Sequence, residues 1–340
     1  MRARIVFYSA FCIVLGASAW LVFSHAHRSK SALPPEVSGL AAPSPTRTVA
    51  AAKPGVAPAS APSPSVVSRQ PVGLSPAIQV IVDDQAGYEQ RLAAIDNIRG
   101  KLSGADREAL YAFLRQKSGL DNVQLEQVLK NKLMDVLCAL NPPPPGLFDL
   151  LTQIYHDPAQ NGVLRDYAVQ HVAAFYQQLE MAADVDPQDK STGLAQARKV
   201  LWDALAETDG SIAGTALLAL TRLSRENPES FDPRQIAGVA EQMAGPATPG
   251  ELTRITAIQV CAQLNVQAAL PVIQAAVQNG QTMTVRISAM GALGSLGGAE
   301  QIPFLNSVLH GDEERLTLSA QHALDQIQNR MKQLAKASNS

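Results

Sequence analysis

Three cysteines serve 340 residues: Cys12, Cys138 and Cys261. Cys12 lies inside an apolar run, which leaves two thiols for everything after it, too few for a disulfide framework. No C-x-x-C, H-E-x-x-H or G-x-S-x-G occurs, so the signatures of thiol redox, zinc hydrolysis and the nucleophile elbow are missing. Positive charge is scarce where it would matter. With two arginines before residue 24 and a net of +4 over 24–76, the total of −2 leaves −8 for residues 77–340. A body that acidic lacks the clustered Lys and Arg that phosphate backbones require, so nucleic acid is not the expected partner.

What is present divides into segments. After MRAR, residues Ile5 to Phe23 form 19 positions without a charge, about the length that spans ~30 Å of hydrocarbon. Arg2 and Arg4 favour a cytoplasmic N-terminus, which exports the rest of the chain. Ala17-Ser18-Ala19 also has the form of a signal-peptidase site, while Trp20 to Phe23 extend the apolar run past it. Residues 1–23 are therefore a transmembrane anchor or a cleaved signal peptide. The folded part is expected in the periplasm or outside, held at the inner membrane through residues 5–23 or released after cleavage. No twin-arginine pair is present, which points to the general secretion route, and SAFC is no lipobox.

Residues 24–76 hold ten of the 22 prolines and no Phe, Tyr or Trp. Such a stretch buries too little apolar surface to offset ordering entropy, so a disordered Pro/Ala/Ser linker is expected, ~40 Å long on average by random-coil scaling. His25 and His27 have no further ligands beside them and read as solvated.

From residue 77 onward apolar residues recur at spacings of three and four between short turns such as HDPAQNG, TDG, GPATPG, QNG and HGD. That pattern predicts helices, apart from a possible extended piece at Ile78 to Val82. The chain also repeats itself. LRDYAVQHV, IAGTALLAL, TRITAIQVC, VRISAMGAL and LTLSAQHAL begin at Leu164, Ile212, Thr253, Val285 and Leu316, at spacings of 48, 41, 32 and 31. Each places Ala fifth: Ala168, Ala216, Ala257, Ala289 and Ala320. Three place Arg second: Arg165, Arg254 and Arg286. LPVIQAAV and IPFLNSVL repeat as well, with Pro271 and Pro303 suited to a first helical turn and apolar Ile273, Val277, Leu305 and Leu309 following.

VRISAMGALGSLGGAEQIPFLNSVL (285–309) and DEERLTLSAQHAL (312–324) resemble HEAT-type repeats, in particular the short bacterial, phycobilisome lyase-like subclass. The likeness is good over about 250–335, looser over 145–250 and weak over 77–140. It implies an all-α, right-handed α-solenoid of antiparallel helix pairs, with a helical N-terminal part at 77–144, HEAT-like repeats at 145–335 and a disordered tail at 336–340. It also implies a binding scaffold. HEAT-fold enzymes similar to deoxyhypusine hydroxylase hold iron through repeated His-Glu pairs, yet none of His25, His27, His156, His171, His310 and His322 is followed by Glu. His156-Asp157 and His310-Gly311-Asp312 read as helix ends, each with an Asp that caps the next helix.

In such a stack the recurring Ala marks a close approach of helices. Arg165, Arg254 and Arg286 are expected first to join layers, through turn carbonyls or an acid of the preceding repeat, and second to line a partner-binding groove. Gly291 and Gly294 should permit tight helix contact, and Gly297-Gly298 should cap a helix with positive φ; their spacing is not that of a phosphate loop. Pro142 to Pro145 break a helix or offer a polyproline II turn. Asp184 and Asp186 sit in a solvated insertion at 178–193 without the glycine and closing Glu of a calcium loop. Cys138 and Cys261 should lie layers apart, buried and reduced.

The reading is a non-catalytic scaffold, with no cofactor and no metal, that binds another protein of the cell envelope through its inner helical face. The alternatives are an envelope enzyme or enzyme subunit of the lyase-like class, and an assembly element whose tether sets its reach. Partner identity and oligomeric state stay open.

Overall fold

A computed structural model describes residues 73–116, 122–208 and 210–338, all within one compact unit. The apolar segment 5–23, the linker up to residue 72, and His25 and His27 lie outside the described residues. Among the described residues no helix is long and apolar enough to cross a membrane.

Fourteen α-helices and three short 3-10 turns occur among the described residues, with no strand. They are α1 (Pro76–Val82), α2 (Tyr88–Asp96), α3 (Gly104–Arg115), α4 (Val123–Ala139), α5 (Leu147–His156), α6 (Gly162–Met181), α7 (Pro187–Asp203), α8 (Ile212–Glu226), α9 (Pro233–Met243), α10 (Glu251–Gln263), α11 (Leu270–Asn279), α12 (Met283–Leu296), α13 (Ile302–Leu309) and α14 (Glu314–Ser338). The even helices from α2 to α14 pack on one another in chain order, and α5, α7, α9, α11 and α13 each pack against the even helix that follows. The result is a two-row α-solenoid. The five aligned segments all fall on even helices, and their alanines, Ala168, Ala216, Ala257, Ala289 and Ala320, are fully buried.

Local chemistry sets the helix starts. Asn122, Asn161, Asp186, Asp232 and Thr282 each accept a backbone N–H from their own first turn, which satisfies donors that have no intrahelical partner. The expected extended piece at Ile78–Val82 is instead α1, because Ser75-Pro76 starts a helix there and the buried residues, Ile78 and Ile81, are three apart. Packing also begins earlier than residue 77: Leu74 is buried and the Ser75 N–H donates to the Asp106 carboxylate at 2.8 Å. The supposed insertion at 178–193 is mostly helix, since α6 runs to Met181 and Asp186 caps α7 ahead of Pro187. At the far end α14 continues through Ser338, so Lys336 to Ser338 are helical rather than a tail.

The glycines of the 285–298 stretch divide by role. A Cβ on Gly294 would lie 2.8 Å from Ala323 Cα, so α12 and α14 touch where no side chain fits. Gly291 has nothing within 4 Å and makes no such contact, contrary to the expectation. Gly297 and Gly298 have φ of −66° and −116°, so the end of α12 needs no left-handed residue. Gly297 is required for space, because its Cβ would meet the Leu293 carbonyl oxygen at 2.6 Å and Ile327 Cδ1 at 3.2 Å. Arg330 of α14 donates to the Gly294 and Gly297 carbonyls and closes that end. Pro142–Pro145 lead into Gly146, whose φ of 76° starts α5, and Tyr111 OH donates to the Pro145 carbonyl at 3.1 Å. Cys138 on α4 and Cys261 on α10 are buried and unbridged.

These contacts predict opposite effects for two neighbouring glycines. Gly294→Ala should lower unfolding free energy by ~1–3 kcal/mol, and so should Ala289→Leu at its filled site. Gly291→Ala should raise it by up to ~1 kcal/mol through helix propensity alone. Urea titrations of the three variants check this; equal effects at the two glycines would remove the close-contact assignment.

Candidate binding face

Arg165 and Arg254 face inward, and Arg286 keeps part of its side chain at the surface. Arg165 Nε donates to the Tyr155 carbonyl at 2.8 Å, Arg254 Nε to the Ala244 carbonyl at 3.0 Å and Arg286 Nε to the Val277 carbonyl at 2.8 Å. Each acceptor lies at the end of the odd helix just before, where carbonyls lack intrahelical donors and the helix dipole is negative. Arg165 and Arg254 are buried, and burial pulls the Arg254 guanidinium below its ordinary pKa. Two of the three also reach an acid: Arg165 meets Glu207 at 3.0 Å and Arg286 meets Glu313 at 2.6 Å. Those acids stand just ahead of α8 and α14, in the following layer and not the preceding one. One guanidinium therefore ties three successive elements.

Two further members of this row escape the sequence comparison. Arg91 of α2 donates to the carbonyl of Asp83, the residue ending α1, and Lys130 of α4 donates to that of Gln116, which ends α3. QRLAA at 90–94 holds Arg second and Ala fifth, the signal that was there to be found. In α4 the register is hidden, because Lys replaces Arg and Leu133 stands at the Ala position.

Buried ionisable groups meet at α6. His171 is 1 % exposed, with Nε2 2.8 Å from Asn131 Oδ1 of α4, and burial pulls its pKa down to about 4. Ser211 donates to Asp166 on the α8 side of the same helix, and burial raises that carboxyl. Cys138 and Cys261 are held as thiols by burial, Cys261 with its pKa pushed up to about 12. His156 ends α5, but Asp157 accepts from Ala159 N–H while Asn161 caps α6. His310 follows α13, its Nδ1 2.7 Å from the Asn306 carbonyl. Among the described residues no three His, Cys, Asp or Glu side chains come together as a metal site.

With Arg165 and Arg254 turned inward, other residues form the solvent side of the even row. Over α10, α12 and α14 it carries Thr256, Gln259, Ile287, Gly291, Ser295 and Leu318, with Ile287 38 % and Leu318 70 % exposed. These six are uncharged, whereas α14 also exposes Arg315 and Asp325.

Residues 236–325, from α9 into α14, match the family model described as HEAT repeats. The chain is a HEAT-type repeat protein. The match stops at the repeat itself and says nothing of the lyase-like subclass. No curated protein matches. Among solved structures, human deoxyhypusine hydroxylase in complex with glycerol is 17% identical, with 74% of this chain and 95% of that one covered at a TM-score of 0.31. An engineered protein is 14% identical, with 75% and 97% covered at 0.36. Likenesses of that size carry no argument about what this HEAT-repeat protein does.

These arginines yield a stability prediction. Arg254→Ala removes a charged donor from a buried carbonyl and should cost ~1–3 kcal/mol. Glu313→Gln breaks a pair whose acid is half exposed, and should cost under ~1 kcal/mol and lose that effect in high salt. Thermal melts at low and high salt check both; an Arg254→Ala protein as stable as the parent would leave the tie without energetic weight.

Proposed function

We propose that this HEAT-repeat protein is a non-catalytic scaffold of the cell envelope, a right-handed α-solenoid that holds another protein against the solvent side of its even helices. The observation that supports it is the uncharged strip on α10, α12 and α14. Buried centres of protein interfaces are depleted in charge, and a strip of Thr, Gln, Ser, Gly and Ile can be dehydrated without stranding an ion. Arg254 and Arg286 tie α10 and α12 to the odd helices before them and so shape this strip, and Arg165 does the same for α6. The apolar run at residues 5–23, as anchor or signal, and the Pro-rich linker at 24–76 belong to the same reading, delivering the array to the periplasmic side and setting its reach.

The test is site-specific photocrosslinking in intact cells. A crosslinker at Gly291 or Gln259 should capture an envelope protein, and one at exposed Arg234 on α9 should not. Gly291→Arg, at an exposed position where an added Cβ meets nothing within 4 Å, should leave folding intact and abolish capture at Gln259. Adducts only from Arg234, or only with cytoplasmic proteins, would overturn the proposal.

A further inference from the structure

α6 carries an ionisable side chain into the contacts on both of its sides, half-buried Asp166 toward α8 and buried His171 toward α4. At the α8–α10 and α12–α14 contacts the residues nearest the glycines are uncharged, Gly214 on Thr253 and Thr256, Gly294 on Ala323 and Gln326, and the charges that cross are the permanently charged Arg225 and Arg330. We infer that the α4–α6 junction is an acid-sensitive joint, at which a proton taken up by His171 loosens the attachment of the N-terminal helices to the rest of the array.

The geometry leaves that proton badly placed. Nε2 donates to Asn131 Oδ1, so Nδ1 is the bare nitrogen, and it is buried with no hydrogen-bond partner. The nearest carboxylate oxygen, Asp135 Oδ1, is 3.8 Å away on a side chain 58% exposed, where water screens its attraction. α4 otherwise turns Cys138 toward this site, its Sγ 3.7 Å from the His171 carbonyl and its thiol kept un-ionised by burial. Lys132 of α4 is engaged 3.2 Å from Asp96 of α2. Burial pulls the pKa of the ring down to about 4.

The sign follows from linkage. In an opened junction the solvated imidazole binds its proton at about 6.5, whereas in the closed one it stays neutral down to about 4. Closure is therefore intact above pH 6.5 and is lost as pH falls from 6.5 to 4, by about tenfold in the opening constant per pH unit. Asp166 and Asp135 both have raised pKa values from burial, so their protonation acts in the opposite sense. Asp135 stands on α4 and offsets part of the loss there, but the larger shift is that of His171, so acid weakens the α4 side of α6, while on the α8 side Asp166 acts alone and acid spares or tightens it.

Hydrogen exchange followed by mass spectrometry on the full chain, corrected for intrinsic rates, tests this. Between pH 7.5 and 5.0, protection in α4 and the facing part of α6 should fall about thirtyfold, while α10 to α14 should change less than about twofold. In His171→Gln, whose amide can still pair with Asn131, the pH dependence in α4 should vanish. If that variant does not fold, the wild-type comparison decides alone. Unchanged protection in α4, a uniform loss along the whole array, or a gain in α4 from Asp135 closing on a charged ring would each overturn the inference.

Discussion

A cationic side chain of an even helix, donating to a carbonyl at the end of the odd helix before it, is the tie on which the layers of this protein depend. Arg91, Lys130, Arg165, Arg254 and Arg286 make it at five turns. Each turn would otherwise bury carbonyls with no donor, at the negative end of a helix dipole. The guanidinium is the better group for this, because its planar fork can bond one carbonyl and still reach a second acceptor. Arg165 and Arg286 do so through Glu207 and Glu313. Lys130 has no fork and uses its own helix, pairing with Glu126 at 2.8 Å one turn back.

Once the turns are fixed, the even helices can approach closely, and small residues decide how closely. Gly214 sits against Thr253 and Thr256, and Gly294 against Ala323. These contacts explain why the 285–298 stretch carries so little chemistry. Its one charge is spent on the Val277 carbonyl and Glu313, and two of its glycines, Gly294 and Gly297, are gaps filled in part by α14. The same economy shapes part of the outer surface: on α12 the exposed residues Ile287, Gly291 and Ser295 carry no charge.

Much of this was legible in the sequence, and the exceptions have physical causes. Five alanines in register locate five even helices because only a small residue fits between the rows. The N-terminal layers are harder to read because α4 fills that position with Leu133 and exchanges Arg for Lys, so the pattern dissolves although the contact persists. Gly291 and Gly294 look alike in a string of small residues; which faces α14 is a matter of angle around α12, and only coordinates supply it. Likewise nothing local distinguishes His171 from the exposed His322, since the burial of the first comes from α4, some forty residues away in the chain. The repeat is thus written in the sequence more clearly than the surface it presents.

The central claim is that the arginines are first of all ties between layers, with Arg165 and Arg254 buried in that role. Modification of the native full-length chain by phenylglyoxal, with each adduct located by mass spectrometry, tests it most directly. Arg91, Arg165 and Arg254 should stay unmodified under conditions in which exposed Arg234 and Arg315 react to completion. Reaction of Arg165 and Arg254 at the rate of Arg315, in a chain that remains folded, would contradict it.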